Sequence, residues 1–128
     1  MIAAALLAAC SPGEAPDASG LTGEEKVALV QRYYACAREQ NTPCVAATLH
    51  PDFRAAAEAA GADARQGHAE AMSRRLATSR VESRVLDQDG AEVWVVEVWN
   101  DKHGATTSLL RNFTFESGLI RAKTVLAT

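Results

Sequence analysis

The alternation of apolar and polar residues is strongest in the second half of the chain. Four runs there are rich in β-branched and aromatic residues: 81–88, 91–100, 105–116 and 119–126. They are separated by Asp89-Gly90, by residues 101–104 and by Ser117-Gly118. Such runs between turn residues are typical of strands, and Asp-Gly suits the positive φ angles of a two-residue hairpin. The pattern therefore predicts four antiparallel strands.

These turns also predict the register, with Leu86 opposite Val93, Glu97 opposite Ser108 and Phe115 opposite Ile120. Because side chains alternate between the faces of a strand, every position is then assigned to one face. The predicted core face consists of Val81, Ser83, Val85, Trp94, Val96, Val98, Leu109, Arg111, Phe113, Phe115, Ile120, Ala122, Thr124 and Leu126. The predicted outer face consists of Glu82, Arg84, Leu86, Val93, Val95, Glu97, Trp99, Thr106, Ser108, Leu110, Asn112, Thr114, Leu119, Arg121, Lys123 and Val125.

The predicted outer face is more apolar than a fully solvated surface, owing to residues such as Trp99, Val93 and Leu110. A contact with a second copy of the chain, giving a homodimer, would explain this composition. Half-covered apolar residues on an ordinary solvated face would explain it equally well.

The first half of the chain predicts helices that cover the core face. Thr22 and Glu25 have the spacing of a capping box, and apolar residues repeat at helical spacing as far as Asn41. Thr42 followed by Pro43 predicts a second, short helix to about Leu49. A third helix is expected from 67 to 77, and residues 50–54 are expected to form a short strand or an irregular edge.

The N-terminal run MIAAALLAAC is apolar but shorter than the roughly 20 residues that a helix needs to span a bilayer. Residues 7–10, Leu-Ala-Ala-Cys, resemble the bacterial lipobox, which implies cleavage before Cys10 and lipidation of that cysteine. No Lys or Arg precedes the run, unlike most export signals, so a cytosolic protein with an alanine-rich start is the alternative. Residues 11–20 predict a flexible tether, and residues 21–128 predict one folded domain.

If Cys10 carries lipid, Cys36 and Cys44 remain as a pair in an oxidising compartment, which predicts a disulfide between them. Two reduced core cysteines are the alternative. No pair of Cys or His residues stands at a metal-ligand spacing, and no cofactor motif is present. The net charge of −3 and the pI near 5.6 offer no basic field for nucleic acid.

The order of the elements, together with residues 49–53, Gly67-His68 and the hairpin 117–120, resembles the NTF2-like superfamily in its SnoaL-like and DUF4440-like branches. The resemblance implies an α+β fold, the cystatin-like cone, in which a curved antiparallel sheet packs on the N-terminal helices around a conical pocket. A run of helices followed by a run of strands independently favours α+β. Members of the superfamily include cyclases, isomerases, dehydratases and noncatalytic binding or assembly domains.

By position in this fold, the resemblance implies a pocket lined by Tyr33, Tyr34, His50, Asp52, Phe53, His68, Trp94, Arg111 and Phe113. His50 or Asp52 is the candidate general base, although an Asp after Pro in a turn also commonly caps the backbone. Arg111 is the only full charge on the predicted core face. It therefore needs a carboxylate such as Asp52 or Glu39, an aromatic ring such as Trp94 opposite it, or an anionic ligand.

These observations predict a lipoprotein of the cell envelope, held at the membrane through Cys10 and facing the periplasm or the exterior. Its domain is expected to be a small-ligand-binding or assembly module, with a small anionic or apolar ligand. The alternative is a SnoaL-like cyclase or isomerase that uses Asp52 or His50 as base and Arg111 as electrostatic stabiliser. A cytosolic cyclase-like protein is the third interpretation, if the lipobox is spurious.

Overall fold

The structure is a computed structural model that describes Asp17 and residues 19–55 and 64–127. The predicted lipobox and Cys10 lie outside the described residues. The described helices are too short or too polar to cross a membrane.

The elements follow the predicted order of helices first and strands last. The helices are α1 (Gly23–Arg38), α2 (Thr42–Ala47) and α3 (Ala64–Leu76). The strands are β1 (Leu49–Ala55), β2 (Ser79–Asp89), β3 (Glu92–Asp101), β4 (Thr106–Glu116) and β5 (Leu119–Ala127). They form one mixed sheet in the order β1-β5-β4-β3-β2, in which only β1 is parallel to its neighbour.

The helix starts follow from local chemistry. At α1 the predicted capping box is present, since Thr22 accepts a hydrogen bond from the Glu25 N–H at 3.2 Å and Glu25 accepts one from the Thr22 N–H at 2.9 Å. At α2 the cap is Asn41 rather than the predicted Thr42, because the Asn41 side chain accepts a bond from the Cys44 N–H. The described part of α3 starts at Ala64, so the helix already includes the three residues before the predicted start.

The predicted faces are right for part of the sheet and wrong for β3. The core contains Val81 from β2, Phe113 from β4 and Ile120 from β5, as predicted. From β3, however, it contains Val93, Val95, Glu97 and Trp99 instead of Trp94, Val96 and Val98.

Two features of the hairpins cause this reversal. The predicted turn at Asp89-Gly90 is wrong, because Asp89 pairs with Glu92 and the turn consists of Gly90 and Ala91; this moves the pairing by two positions and leaves the faces unchanged. The register then shifts between Val85 and Asp87, so that Leu86 is left out of the pairing, and such a bulge moves every residue beyond it to the opposite face. The loop from β3 to β4 also brings Asp101 and Ala105 together, which leaves three residues rather than four in the turn. Glu97 therefore pairs with Leu109, not with Ser108.

A second shift in β5 places Lys123 in the core. Its hairpin with β4 has the predicted turn, in which Ser117 and Gly118 both have positive φ and Phe115 pairs with Ile120. Beyond that pair the register shifts, so that Lys123 lies opposite Phe113 on the core face. The prediction that Ala122 and Thr124 share the face of Ile120 is wrong for this reason.

The described end of the predicted tether lies against the domain. Lys26 is buried and donates hydrogen bonds to Asp17 at 2.6 Å and to the Gly90 carbonyl at 2.8 Å. The Ser19 carbonyl accepts a bond from the Gly118 N–H at 2.6 Å. These contacts fix the segment against the turns at one end of the sheet, next to the start of α1.

Cys36 and Cys44 form the predicted disulfide, with their Cα atoms 5.6 Å apart. It joins the last turn of α1 to the first turn of α2 and closes a loop with a sequence separation of 8. A loop this short gives a stabilisation of about 2.5 kcal/mol from the lower entropy of the unfolded chain. The bond therefore fixes α2, which leads directly into β1.

Candidate functional site

A buried carboxylate, that of Glu97 on β3, organises the interior of the domain. Glu97 is 0% exposed. Its Oε1 accepts hydrogen bonds from Arg111 Nε and from Trp99 Nε1, both at 3.0 Å. Its Oε2 accepts one from the Tyr34 hydroxyl and lies 2.7 Å from Lys123 Nζ. Because a carboxylate offers about four acceptor positions, these four donors occupy it fully.

A chain of polar groups runs from Glu97 towards α3. Lys123 Nζ also donates to the Tyr33 hydroxyl at 2.9 Å, and that hydroxyl lies 2.6 Å from His68 Nε2. The same ammonium lies 4.9 Å from the Tyr33 ring centroid and 5.4 Å from that of Tyr34. Lys123 is therefore held in an aromatic environment as well as by an ion pair.

A third cation, Arg75 on α3, completes the cluster. Its guanidinium carbon lies 3.6 Å from the centroid of the Trp99 ring, so the side chain stacks on the residue that donates to Glu97 Oε1. Among the described residues, the exposed Arg75 and the buried or largely buried Arg111 and Lys123 thus lie around the carboxylate of Glu97, and these four side chains together carry two more positive than negative charges.

The ionisation of the cluster follows from burial and from this charge imbalance. Burial favours the neutral form of Glu97, but the ion pairs with Lys123 and Arg111 outweigh it and lower the pKa of Glu97 to about 2. Burial lowers the pKa of Lys123 to about 8, with Arg111 acting in the same direction and Glu97 opposing it. Burial, followed by the repulsion of Arg111, also lowers the pKa of Arg75.

A small cavity opens beside these cations. Its volume is about 140 Å³, and its lining consists of Ala55, His68, Ala71, Met72, Arg75, Arg111 and Lys123. Larger and more open depressions lie elsewhere on the described surface, for example around Arg38 and Val81. Unlike the depression around Arg38 and Val81, the small cavity is lined by the buried Lys123 and the largely buried Arg111.

The structure brings some of the predicted pocket residues together and not others. Arg111 and His68 line the cavity, and Tyr33 and Tyr34 lie behind it in the network of Glu97. Phe53 and Phe113 are fully buried and pack on these rings rather than on the cavity.

The three other candidates lie away from the cavity lining. Trp94 is on the opposite face of the sheet and does not stack on Arg111, which excludes one of the three options that the sequence leaves open. His50 lies 3.5 Å from Glu116, and its Nδ1 accepts a bond from the Asp52 N–H. Asp52 itself is exposed. Neither Asp52 nor Glu39 is the partner of Arg111, since that partner is Glu97.

Sequence reasoning missed Glu97, Lys123 and Arg75. Glu97 and Lys123 were assigned to the outer face, where charged residues normally lie, because the register shifts were not visible in the sequence. The available signal was the lone Arg111 on the predicted core face, since a buried guanidinium requires a buried carboxylate. The described residues contain no group of three or more Asp, Glu, His or Cys that could hold a metal ion.

No family model matches the chain, and no curated protein matches it at a significant level. Several solved structures are similar to the chain. A protein of unknown function with a cystatin-like fold from Methylobium petroleophilum is 14% identical, with a TM-score of 0.69 over 84% of this chain and 78% of that one. An NTF2-like protein of unknown function from Cytophaga hutchinsonii is 17% identical, with a TM-score of 0.61 over 78% and 87%.

A third similar structure is a Sinorhizobium meliloti protein provisionally named a polyketide cyclase. It is 19% identical, with a TM-score of 0.66 over 83% of this chain and 100% of that one. Identities this low show the fold and do not transfer an activity. The shared architecture of helices packed on a curved mixed sheet is that of the NTF2-like, or cystatin-like, fold, and this is the fold of the described chain.

Proposed function

We propose that this protein is a lipid-anchored lipoprotein of the cell envelope whose NTF2-like domain binds a small anionic ligand. The cavity beside Arg75, Arg111 and Lys123 is the proposed binding site. The observation that carries the proposal is the charge of the described part of this cavity, where three cations lie around one described carboxylate, that of Glu97.

The hydrogen bonds of the cluster leave capacity for an anion. Within the described part of the chain, Arg111 donates from Nε alone, and the guanidinium of Arg75 stacks on Trp99 without a hydrogen bond. Glu97 already accepts from four donors, so it cannot also accept from the remaining N–H groups of Arg111 and Arg75. Guanidinium groups bind carboxylates and phosphates through paired N–H donors, which makes an anionic group the ligand feature that this cavity fits best.

The cavity volume limits the ligand to a few heavy atoms. At about 30 Å³ for one water molecule, 140 Å³ corresponds to roughly five waters. Drug-sized ligands occupy pockets of about 300 Å³ or more. A short carboxylate therefore fits, whereas a polycyclic molecule requires the cavity to widen.

Binding of small carboxylates is expected to stabilise the protein in a manner that depends on Arg75. We expect acetate, glyoxylate and pyruvate to raise the melting temperature of the wild type at constant ionic strength. The stabilisation is about 2.7 kcal/mol when the ligand is at 100 times its Kd. Arg75→Gln is expected to weaken binding at least tenfold, because it removes a cavity cation that does not contact Glu97.

Arg74→Gln is the matched control for that experiment, since Arg74 is exposed like Arg75 and adjacent to it on the same helix but lines a different depression. Its shifts should equal those of the wild type. Equal shifts in Arg75→Gln and the wild type, or no shift beyond that produced by chloride, would contradict the proposed site.

The proposed membrane anchor is tested separately by metabolic labelling. In a bacterial host, the full-length chain is expected to incorporate labelled palmitate and to fractionate with membranes, because residues 7–10 resemble a lipobox. Cys10→Ala should abolish both, and globomycin should cause the uncleaved precursor to accumulate. Labelling that persists in Cys10→Ala would show that this cysteine is not the lipid attachment site.

An enzyme of the cyclase or isomerase type is the second candidate, and one observation favours it. The hydrogen-bonded chain from Lys123 through Tyr33 to His68 reaches the cavity wall and contains groups that exchange protons. One of the similar structures also carries the name of a polyketide cyclase. On this geometry His68, rather than His50 or Asp52, is the candidate proton acceptor.

A further inference from the structure

Lys123 combines burial with access to the cavity. Its side chain is 2% exposed, yet it contributes to the cavity lining. The rings of Tyr33, Tyr34 and Phe113 surround the ammonium, with centroids 4.9, 5.4 and 5.9 Å from Nζ. A structural lysine needs an ion-pair partner, which Glu97 supplies, but it does not need to face a cavity.

This environment is one that activates an amine. A lysine attacks a carbonyl carbon only when it is unprotonated, and enzymes achieve this by desolvation or by placing a second cation nearby. Lys123 has both features, since Arg111 shares its carboxylate partner Glu97 and Arg75 lines the same cavity. The depressed pKa of Lys123, about 8, agrees with this geometry.

We propose that Lys123 forms an imine with a small 2-oxo acid whose carboxylate is held by Arg75 and Arg111. The inference rests on the proposed binding of small anions and adds a reaction to it. The size of the cavity favours a 2-oxo acid, because the carbonyl carbon is bonded directly to the carboxylate. Both groups then fit into about 140 Å³, with the carboxylate on the guanidinium groups and the carbonyl next to Nζ.

The step balances without any further reactant. The Lys123 ammonium and the 2-oxo acid anion give a protonated imine, which retains the carboxylate, and one water. A carbon–nitrogen double bond replaces the carbonyl, and the carbonyl oxygen leaves with two of the ammonium hydrogens. The proton that the amine must lose before it attacks passes through the Tyr33 hydroxyl at 2.9 Å, which hands its own proton to His68 Nε2 at 2.6 Å, and it returns when the water leaves.

The product keeps the charge pairing of the site. The protonated imine is still a cation with one N–H, so it can remain hydrogen-bonded to Glu97 as the ammonium was. The carboxylate of the ligand offsets one of the two excess positive charges. Imine formation therefore costs no buried ion pair, which distinguishes Lys123 from a lysine that must lose its partner in order to react.

Reductive trapping tests the proposal, and the chain suits it because it contains only three lysines, Lys26, Lys102 and Lys123. The purified protein is incubated with glyoxylate or pyruvate and cyanoborohydride, and the adduct is located by mass spectrometry of its peptides. We expect modification of Lys123 at least tenfold above that of Lys102, although Lys102 is exposed. Excess acetate, which has a carboxylate but no ketone, should protect Lys123.

Three variants define the outcome. Lys123→Arg keeps the charge and should remove the adduct, Arg75→Gln should reduce labelling of Lys123 at least tenfold, and Lys102→Arg should change nothing at Lys123. Each is first shown to be folded by circular dichroism. Labelling of Lys102 equal to that of Lys123 would overturn the imine.

The two proposals fail separately. If 2-oxo acids shift the melting temperature through Arg75 but leave Lys123 unmodified, the imine is wrong and anion binding stands. If neither acetate nor 2-oxo acids bind, both proposals fall.

Discussion

Glu97→Gln is expected to lower the free energy of unfolding by about 3–5 kcal/mol. The amide keeps the shape of the side chain but removes the charge that offsets Lys123 and Arg111, both of which are largely or fully buried. An amide also has only one oxygen acceptor, so it cannot serve all four donors of the cluster. Urea unfolding followed by fluorescence of the two tryptophans measures the change.

A double-mutant cycle separates the ion pair from the rest of the site. Lys123→Met removes the cation that lies 2.7 Å from Glu97, so Glu97→Gln combined with Lys123→Met should cost less than the sum of the single changes. Glu82→Gln is the matched control, because Glu82 is an exposed glutamate on the neighbouring strand, and it should change stability by about 0.5 kcal/mol at most. A loss below about 1 kcal/mol for Glu97→Gln would contradict the central role of the carboxylate.

The sequence predicts those parts of the fold whose signals are local. Thr22 and Glu25 define the start of α1 within one turn of the chain, and Ser117-Gly118 defines its hairpin, because two positive φ angles at a two-residue turn admit few alternatives. The disulfide from Cys36 to Cys44 was also predicted, from the pairing of the two remaining cysteines. The capping box and the hairpin use residues that are close in sequence, whereas the pairing of the cysteines rests on the assignment of Cys10 to lipid.

The faces of β3 could not be predicted in this way. Val93, Val95 and Trp99 alternate with Trp94, Val96 and Val98, so both faces of the strand are apolar and alternation does not distinguish them. The predicted face follows from the turn registers, and the charge of Glu97 agrees with it if charge is taken as a sign of exposure. In the structure Glu97 is buried because four donors satisfy it.

The sequence predicts only part of the candidate site, because the rest depends on the register of the strands. Arg111 was correctly placed on the core face, and its need for a partner was recognised. The partner itself depends on a register shift in β2 and on the length of the turn before β4, while the burial of Lys123 depends on a shift in β5. These are long-range properties of the sheet, and a single residue of slip exchanges the two faces.

The arrangement links the fold to the proposed function. Glu97 holds Arg111 and Lys123 inside the domain, and the cations that this carboxylate does not neutralise define the chemistry of the cavity. A variant that lowers stability through Glu97 will therefore also disturb the cavity, whereas Arg75→Gln changes the cavity without removing a contact to Glu97. Comparison of the two variants distinguishes loss of folding from loss of binding.

Stability is expected to fall steeply in acid because of Glu97. The ion pairs that outweigh burial keep the folded pKa of Glu97 near 2, below its ordinary value of 4.5. The unfolded chain therefore binds an additional proton between these values, so this contribution to stability is complete above pH 4.5 and disappears as the pH falls through 2. Its size is on the order of 3 kcal/mol.

In alkali, Lys123 also makes the free energy of unfolding increase with pH. Its folded pKa of about 8 lies below the ordinary 10.5, so the unfolded chain again binds more protons and stability rises with pH between 8 and 10.5. Tyr34 opposes this near the upper end, because burial and then Glu97 raise its pKa and only the unfolded tyrosine ionises there. Urea unfolding at closely spaced pH values should show both slopes.

Glu97→Gln should reduce the acid slope to the part that belongs to Asp17, whose pKa is lowered by its hydrogen bonds with Lys26 and Ser19. Lys123→Met should flatten the alkaline slope, and Glu82→Gln should leave both slopes unchanged. A slope equal to that of the wild type in either of the first two variants would contradict the assignment.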